Sequence, residues 1–528
     1  MPSTRESAST LVLLTLASAQ FLMTLDSSVM NVSIATVAED VGTDVTGIQT
    51  AITLYTLVMA SLMITGGKIG QIIGRKRAFA IGCVIYGAGS FTTSLATSLP
   101  VLLIGWSLLE GIGAALIMPA IVALVASNFA AERRPAAYGM VAAAGAIAVA
   151  AGPLIGGLLT TYASWRWVFA GEVVIVIGIL ALTRKIADVP PQPGRLDLVG
   201  TGLSALGLGL VVFGILRAGA WGFVVPKPGA PSPLGLSPVV WLVLGGAVVL
   251  WLFLSWQRRQ IGSGKPALVD PAMLRNKLLR GGLTAFFFQF LLQAGLFFVV
   301  PLFLSVALGL SAVETGVRIL PLSVALLLAA LGVPRFFPDA SPRLVVRLGF
   351  LALFAGIVVL MASLDLGAGP EVVTWPLLLA GLGIGALASQ LGAVTVSSVP
   401  DEQTGDVGGL QNTLTNLGAS VGTALAGAVL ISGLTASFLT GVQQNNAIPA
   451  ELSSSAEVEL AGGVPFIPDD QLEAALADAG VQGATAQAVV DENEAARLDG
   501  LRISLATLAL LALAALFSVR GIPDRRST

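Results

Sequence analysis

The 528-residue chain contains no histidine, a single cysteine (Cys83) and few charges, with acids and bases together making up 11% of it. Each shortage excludes something. Without histidine the usual proton shuttle and the commonest metal ligand are missing, so any proton chemistry falls to Asp and Glu. One cysteine rules out an internal disulfide and cysteine-rich metal sites; neither a metal nor a cofactor is expected. The formal net charge is −2, and no basic patch suits nucleic acid. "GGKIGQ" lacks both the spacing and the Ser/Thr of a phosphate loop, which argues against an ATP-driven pump. There is no K⁺-channel filter sequence. No nucleophile–base–orienter set stands out, so an enzyme is not expected.

What the chain has in abundance is apolar residues, 55% of the total, with a mean hydropathy of +0.88. Apolar runs of about 20 residues, the length of a membrane-spanning helix, recur from end to end. The expected class is an all-α polytopic membrane protein. The first run follows "MPSTRESAST" and has no A-x-A cleavage site, so it reads as a retained helix. Fourteen spans are predicted: 10–33, 47–66, 78–98, 101–126, 136–160, 166–183, 197–216, 237–256, 281–307, 316–333, 345–364, 374–398, 409–435 and 503–520. With the N-terminus inside, 22 of the 28 basic residues fall on inner segments, as the positive-inside rule requires. Both termini are then cytoplasmic, and a plasma-membrane location is expected. The remaining long segment, 436–500, is acidic with Arg497 as its one base, and reads as an outer loop in which "DDQLEAALADAG" forms a short amphipathic helix.

Glycine (61) and proline (27) are plentiful for such helices, which in membranes means close packing and bendable spans. Secondary transport is the natural class. A membrane receptor or a nutrient importer would be the rival classes.

Several motifs sharpen this. "GGKIGQIIGRKRAF" follows helix 2 as a short inner loop with a basic cluster. It resembles the loop between helices 2 and 3 of the major facilitator superfamily, with Gly67, Gly74, Arg75, Lys76 and Arg77 matching and Gln71 where the family has Asp. "LDSSVMNVSIA" and "AITLYTLVMA" resemble helices 1 and 2 of its fourteen-helix drug–proton antiporters (EmrB/QacA type). "AAGPLIGG", with Gly152, Pro153, Gly156 and Gly157, is similar to their helix 5 signature, and "SWRWVF" follows it. "VVPLFLSVALGLSAVETGVRILPLS" and "GGLQNTLTNLGASVGTALAG" resemble helices 9–10 and 13.

The resemblance implies a major facilitator fold: six-helix halves at 10–184 and 279–521, with two inserted helices at 197–256. It implies a cytoplasmic lock at the helix 2–3 loop, and proton-coupled efflux of amphipathic, cationic drugs or toxic compounds. Export of a native metabolite, lipid or self-made antibiotic is the alternative. Expected partners are membrane lipids, protons and the small-molecule substrate, with a monomer favoured.

Three acids lie inside spans: Asp26, Glu110 and Glu172. A charge at membrane depth costs about 2.5–3.5 kcal/mol on insertion scales, so such residues are functional candidates. At about 1.5 Å per residue they lie roughly 10, 15 and 10 Å below the outer ends of helices 1, 4 and 6, which suits one shared cavity. Competition between protons and a cation for the same acids is the minimal antiport mechanism. By resemblance Asp26 is the coupling acid of helix 1, while Glu110 and Glu172 stand where the family commonly has Gln and Asn. Ser107 stands where the family has an Arg linked to coupling, which leaves the three acids without an obvious cationic partner in that half; Arg318, which begins helix 10 near the outer face, is the candidate substitute. The substrate cavity is expected to involve Asn31, Trp106, Glu110, Glu172, Gln289 and Gln293; Phe286, Phe290 and Phe297 read as lipid-facing, with an aromatic cavity wall as the alternative.

Overall fold

A chain segment without water around it must satisfy its backbone internally, and a long apolar segment does so as a helix. The computed structural model describes residues 4–129, 134–188, 191, 194–227, 229–337, 339–396, 398, 404–449, 460, 464–522 and 524. Among them there is no strand. The long helices are α1 (Thr4–Val32), α2 (Val45–Ile73), α3 (Arg75–Ser94), α4 (Leu99–Leu102, then a π-helical stretch Leu103–Glu110, then Gly111–Asn128), α5 (Arg134–Tyr162), α6 (Arg166–Thr183) and α7 (Leu198–Trp221). They continue with α8 (Pro238–Gly262), α9 (Lys277–Leu302), α10 (Ala312–Phe336), α11 (Pro342–Ser363), α12 (Thr374–Val396), α13 (Thr404–Gln444) and α14 (Ala484–Ser518).

Among the described residues twelve helices are long and apolar enough to cross a membrane, or thirteen if α5, bent by 43° near Ala150, is one span. The fourteenth, α3, opens on three basic residues and carries several Gly, Ser and Thr. It nevertheless packs on α4 and α6 as α11 packs on α12 and α14.

Many helices begin where the sequence supplies a cap. Asp44 accepts from the Gly47 amide at 2.8 Å to start α2, and Ser311 and Glu314 form a capping box on α10, each satisfying orphan N–H groups of a first turn. At the end that holds the α1–α2 turn, Asp40 accepts from the Trp165 indole (2.8 Å) and pairs with Arg166 (2.6 Å), tying that turn to the start of α6.

Helix pairing repeats between the halves. In the first, α1 packs on α5, α2 on α4, and α3 on α4 and α6; in the second, α9 packs on α13, α10 on α12, and α11 on α12 and α14. The halves meet along two seams, α2 with α13 and α5 with α10. The Gln49 amide donates to the carbonyls of Thr423 (3.2 Å) and Ala424 (3.0 Å), and the Ser420 hydroxyl donates to the Thr53 carbonyl (2.9 Å). On the other seam the Val313 amide donates to the Thr161 hydroxyl (3.1 Å). These bonds fall toward the end of the bundle where α1 finishes and α2 begins. The inserted pair α7–α8 lies against the α2–α13 seam through α7, where the Thr65 and Thr201 hydroxyls meet at 3.1 Å.

Segment 436–500 departs from the loop expected. Helix α13 runs on to Gln444, and α14 begins at Ala484 rather than near 503. The extension of α14 before Arg502 is about 27 Å long at 1.5 Å per residue. Hydropathy marks the part of a helix at membrane depth, and the α14 extension is rich in the helix formers Ala, Glu and Gln instead. The expected short helix is present at Asp469–Asp478. Arg497 is buried between them, donating to the Ile467 carbonyl (2.7 Å) and to Asp469 (2.5 Å). Residues 450–459 and 461–463 of that segment lie outside the described residues.

Candidate functional site

The three membrane acids converge. Asp26 projects from α1, Glu110 from the π-helical stretch of α4 and Glu172 from α6, and a carboxylate oxygen of each lies within 4.8 Å of the others. All three are buried. The Trp106 indole N–H donates to both Asp26 oxygens, at 2.8 and 2.9 Å. Two hydroxyls of α3 serve the other two acids: Thr93 donates to Glu110 at 3.2 Å and Ser90 to Glu172 at 3.0 Å. The second oxygen of each glutamate has no hydrogen-bond partner among the described residues. The phenols of Tyr55 (α2) and Tyr86 (α3) are the other titratable groups facing Asp26.

No lysine or arginine among the described residues pairs with these acids. Arg318, the candidate partner, lies instead beside Glu314, one turn away on its own helix. Ser107 donates to the Ala51 carbonyl at 2.8 Å, fastening α4 to α2.

Between the halves is a cavity of about 590 Å³. Asn31, Trp106, Gln289 and Gln293 line it, as do Phe286, Phe290 and Phe297. Asn31 also donates to the Ser27 carbonyl of its own helix (2.8 Å), whereas the side-chain oxygen of Gln289 has no partner among the described residues.

Glu110 and Glu172 do not line this cavity, and neither does Asp26. Tyr55 and Trp106 stand in between, their rings stacked with centroids 5.2 Å apart and planes 11° from parallel. Each touches the cavity with a small fraction of its surface, being 2% and 1% exposed. A four-residue spacing puts Trp106 and Glu110 on one face of an α-helix. In the π-helical stretch Leu103–Glu110 the two still converge on Asp26, Trp106 from the cavity side and Glu110 from the side of α3. The site therefore has two compartments, not the single acid-lined cavity the sequence implies.

Some lining residues escaped the sequence reading. Tyr55 and, on α13, Gln411, Asn412 and Asn416 face the cavity. The signal was an Asn pair at i, i+4 within the amide- and hydroxyl-bearing "GGLQNTLTNLGAS" of an expected span, which puts both amides on one helix face.

The loop after α2 is tied to its own half. Gly74 has φ +101°, a conformation that favours glycine, and a β-carbon there would lie 3.0 Å from Asp188. The Lys76 amide donates to Asp188 (3.1 Å), and its ammonium donates to the carbonyls of Ile186 (2.8 Å) and Arg184 (3.4 Å), just beyond α6. Gly67 faces Pro119 of α4. Gln71 and Arg75 are half-buried and Arg77 is exposed. A lock between the halves is not among the contacts described; the α12–α13 connection at 399–403 lies outside the described residues. In the helix 5 motif, Gly152 and Gly156 face Ser28 and Val29 of α1, while Pro153 and Gly157 face α10.

Residues 16–423 match the model of the Major Facilitator Superfamily. The chain belongs to this superfamily. Among its relatives, the tetracenomycin C resistance and export protein of Streptomyces glaucescens is 28% identical over 98% of this chain and 92% of its own. The methyl viologen resistance protein SmvA of Salmonella typhimurium is 28% identical over 84% of this chain and 87% of its own. The fold matches the crystal structure of a bacterial homologue of the human lysosomal transporter Spinster, with a TM-score of 0.59 and 15% identity over 98% of this chain and 99% of that one. This major facilitator protein is thus a multi-pass membrane transporter, working in lipid on small molecules.

Proposed function

We propose that this transporter exports amphipathic cationic compounds across the plasma membrane in exchange for protons. The observation that carries the reading is the cluster of Asp26, Glu110 and Glu172, buried, within 4.8 Å and without a basic partner among the described residues. Like charges at such spacing in a medium of low dielectric repel strongly, so a trio of carboxylates with no cation is suited to hold protons and give them up in turn. Their placement beside an amide- and aromatic-lined cavity gives the protons something to be exchanged for.

The basic bias of the inner loops supports cytoplasmic termini. The repeated helix pairing supports halves at 10–184 and 279–521 rocking about the cavity, with 197–256 as an inserted pair. In that orientation, the bonds at Gln49, Ser420 and Val313 close the outer side. Kinship with a methyl viologen resistance protein, whose named compound is a dication, supports a cationic substrate. Kinship with the tetracenomycin C export protein supports a second reading, export of a self-made antibiotic by the same machinery.

Proteoliposomes carrying a pH gradient provide the test, with efflux of the lipophilic cation tetraphenylphosphonium as readout. Wild type should respond to the gradient, and Asp26→Asn should lose at least about tenfold of the driven rate. Efflux indifferent to the gradient, or coupling that survives Asp26→Asn, would sink the proposal. A panel of cations and neutral polyketides separates the two readings of the substrate.

A further inference from the structure

No carboxylate of the cluster lines the cavity. The acids lie behind Tyr55 and Trp106, and the cavity lies in front of them. Resting on the antiport reading above, we propose that Trp106 is the positioning residue that couples the two compartments: its ring forms part of the cavity wall, and its N–H reads the charge on Asp26.

The indole has one donor, and here it is shared between both oxygens of a buried carboxyl group at 2.8 and 2.9 Å. A hydrogen bond to an ionised carboxylate is roughly twice as strong as one to a neutral acid. Ionised Asp26 therefore holds the ring in place, and protonated Asp26 loosens it. The converse follows by linkage. A ligand that packs on the Tyr55–Trp106 edge and holds the indole against Asp26 favours the ionised form and expels a proton. The groups facing Asp26 are Glu110, Glu172, Tyr55, Tyr86 and Trp106 itself; none is a cation, and the Trp106 N–H is the donor that reaches both oxygens.

The backbone beneath Trp106 is suited to a switch. Residues 103–110 are π-helical, a rare geometry that concentrates at functional sites. Relaxing one π turn to α changes the register by one residue, a rotation of about 100°, which takes the indole off Asp26.

Two measurements in detergent, with no gradient imposed, test this. The first counts protons released per tetraphenylphosphonium bound, across pH, in wild type and Trp106→Phe. The variant keeps a ring and loses the N–H. Proton release per ligand bound should fall by at least half and the pH dependence of binding should flatten, whatever the change in affinity at any one pH. A merely structural role would weaken binding equally at every pH and leave release per ligand unchanged, and that result overturns the proposal. The second uses wild type alone, comparing tetraphenylphosphonium with the neutral isostere tetraphenylsilane, solubilised in the same micelles. A coupling carried by the wall makes both release protons. Release by the cation alone would show direct competition for the acids and overturn it. No release with either ligand would overturn the antiport reading itself and this inference with it; loss of coupling in Trp106→Phe alone leaves that reading standing.

Discussion

Gly316 packs its bare Cα against the carbonyl of Pro153 across the seam between the halves, so closely that a β-carbon there would sit 2.2 Å from that oxygen. Gly157 makes the matching approach to the Ala312 carbonyl, with a corresponding distance of 2.5 Å. Backbone does not yield as a flexible side chain does, so even alanine forces α5 and α10 apart. Gly316→Ala should open the seam at this end and slow transport several-fold. A cysteine introduced at Thr161 should then label faster with a maleimide. The native Cys83 is 1% exposed and should stay silent in that experiment.

Glu110 and Glu172 are predicted to govern proton number without governing affinity. Each touches a hydroxyl of α3, and neither touches the cavity. Glu110→Gln and Glu172→Gln should each lower the protons exchanged per substrate, while the dissociation constant for tetraphenylphosphonium stays within about threefold at fixed pH. Reversal-potential measurements in proteoliposomes supply the first quantity and equilibrium binding supplies the second.

Gln289 presents an unpartnered oxygen in the wall of the cavity. A hydrogen bond made there is worth about 0.5–1.5 kcal/mol, or roughly 2–13-fold in affinity. Gln289→Leu should weaken compounds that carry an N–H or O–H donor by about that factor. It should spare quaternary cations, which have none. Competition binding with matched donor and donor-free pairs measures the difference.

Arg497 anchors the structure built on the ends of α13 and α14, with 1% of its side chain exposed against 41% for Asp469. Arg497→Ala removes both bonds and leaves the Ile467 carbonyl without its donor, a loss of about 1–3 kcal/mol. Segment 464–483 should exchange its amide hydrogens faster and be cut sooner by protease. Transport by a protein already in the membrane should change little, since the site lies in the bundle below.

The sequence carried an all-helical membrane bundle because span length is fixed by bilayer thickness and most runs are apolar along their length; of the fourteen expected spans, twelve or thirteen are apolar enough to cross among the described residues. It carried Asp26, Glu110 and Glu172 as exceptions to that apolarity, and their convergence followed from comparable depth. It did not carry their direction. Depth says nothing of facing, and it takes the structure to show that Trp106 lines the cavity while Glu110 meets Thr93 of α3. The long ends of α13 and α14 escaped because hydropathy registers the bilayer, not the helix. Gln411, Asn412 and Asn416 were visible as amides in an expected span, yet amides give a weaker signal than charges.

The pair α7–α8 gives the bundle two unlike flanks. Helix α7 lies over the seam of α2 with α13, where Gly219 comes close to Ala428, and α8 backs it. Among the described residues no further helix covers the seam of α5 with α10. A greasy molecule drifting in the plane of the membrane meets a double fence on one side and a single hinged door on the other.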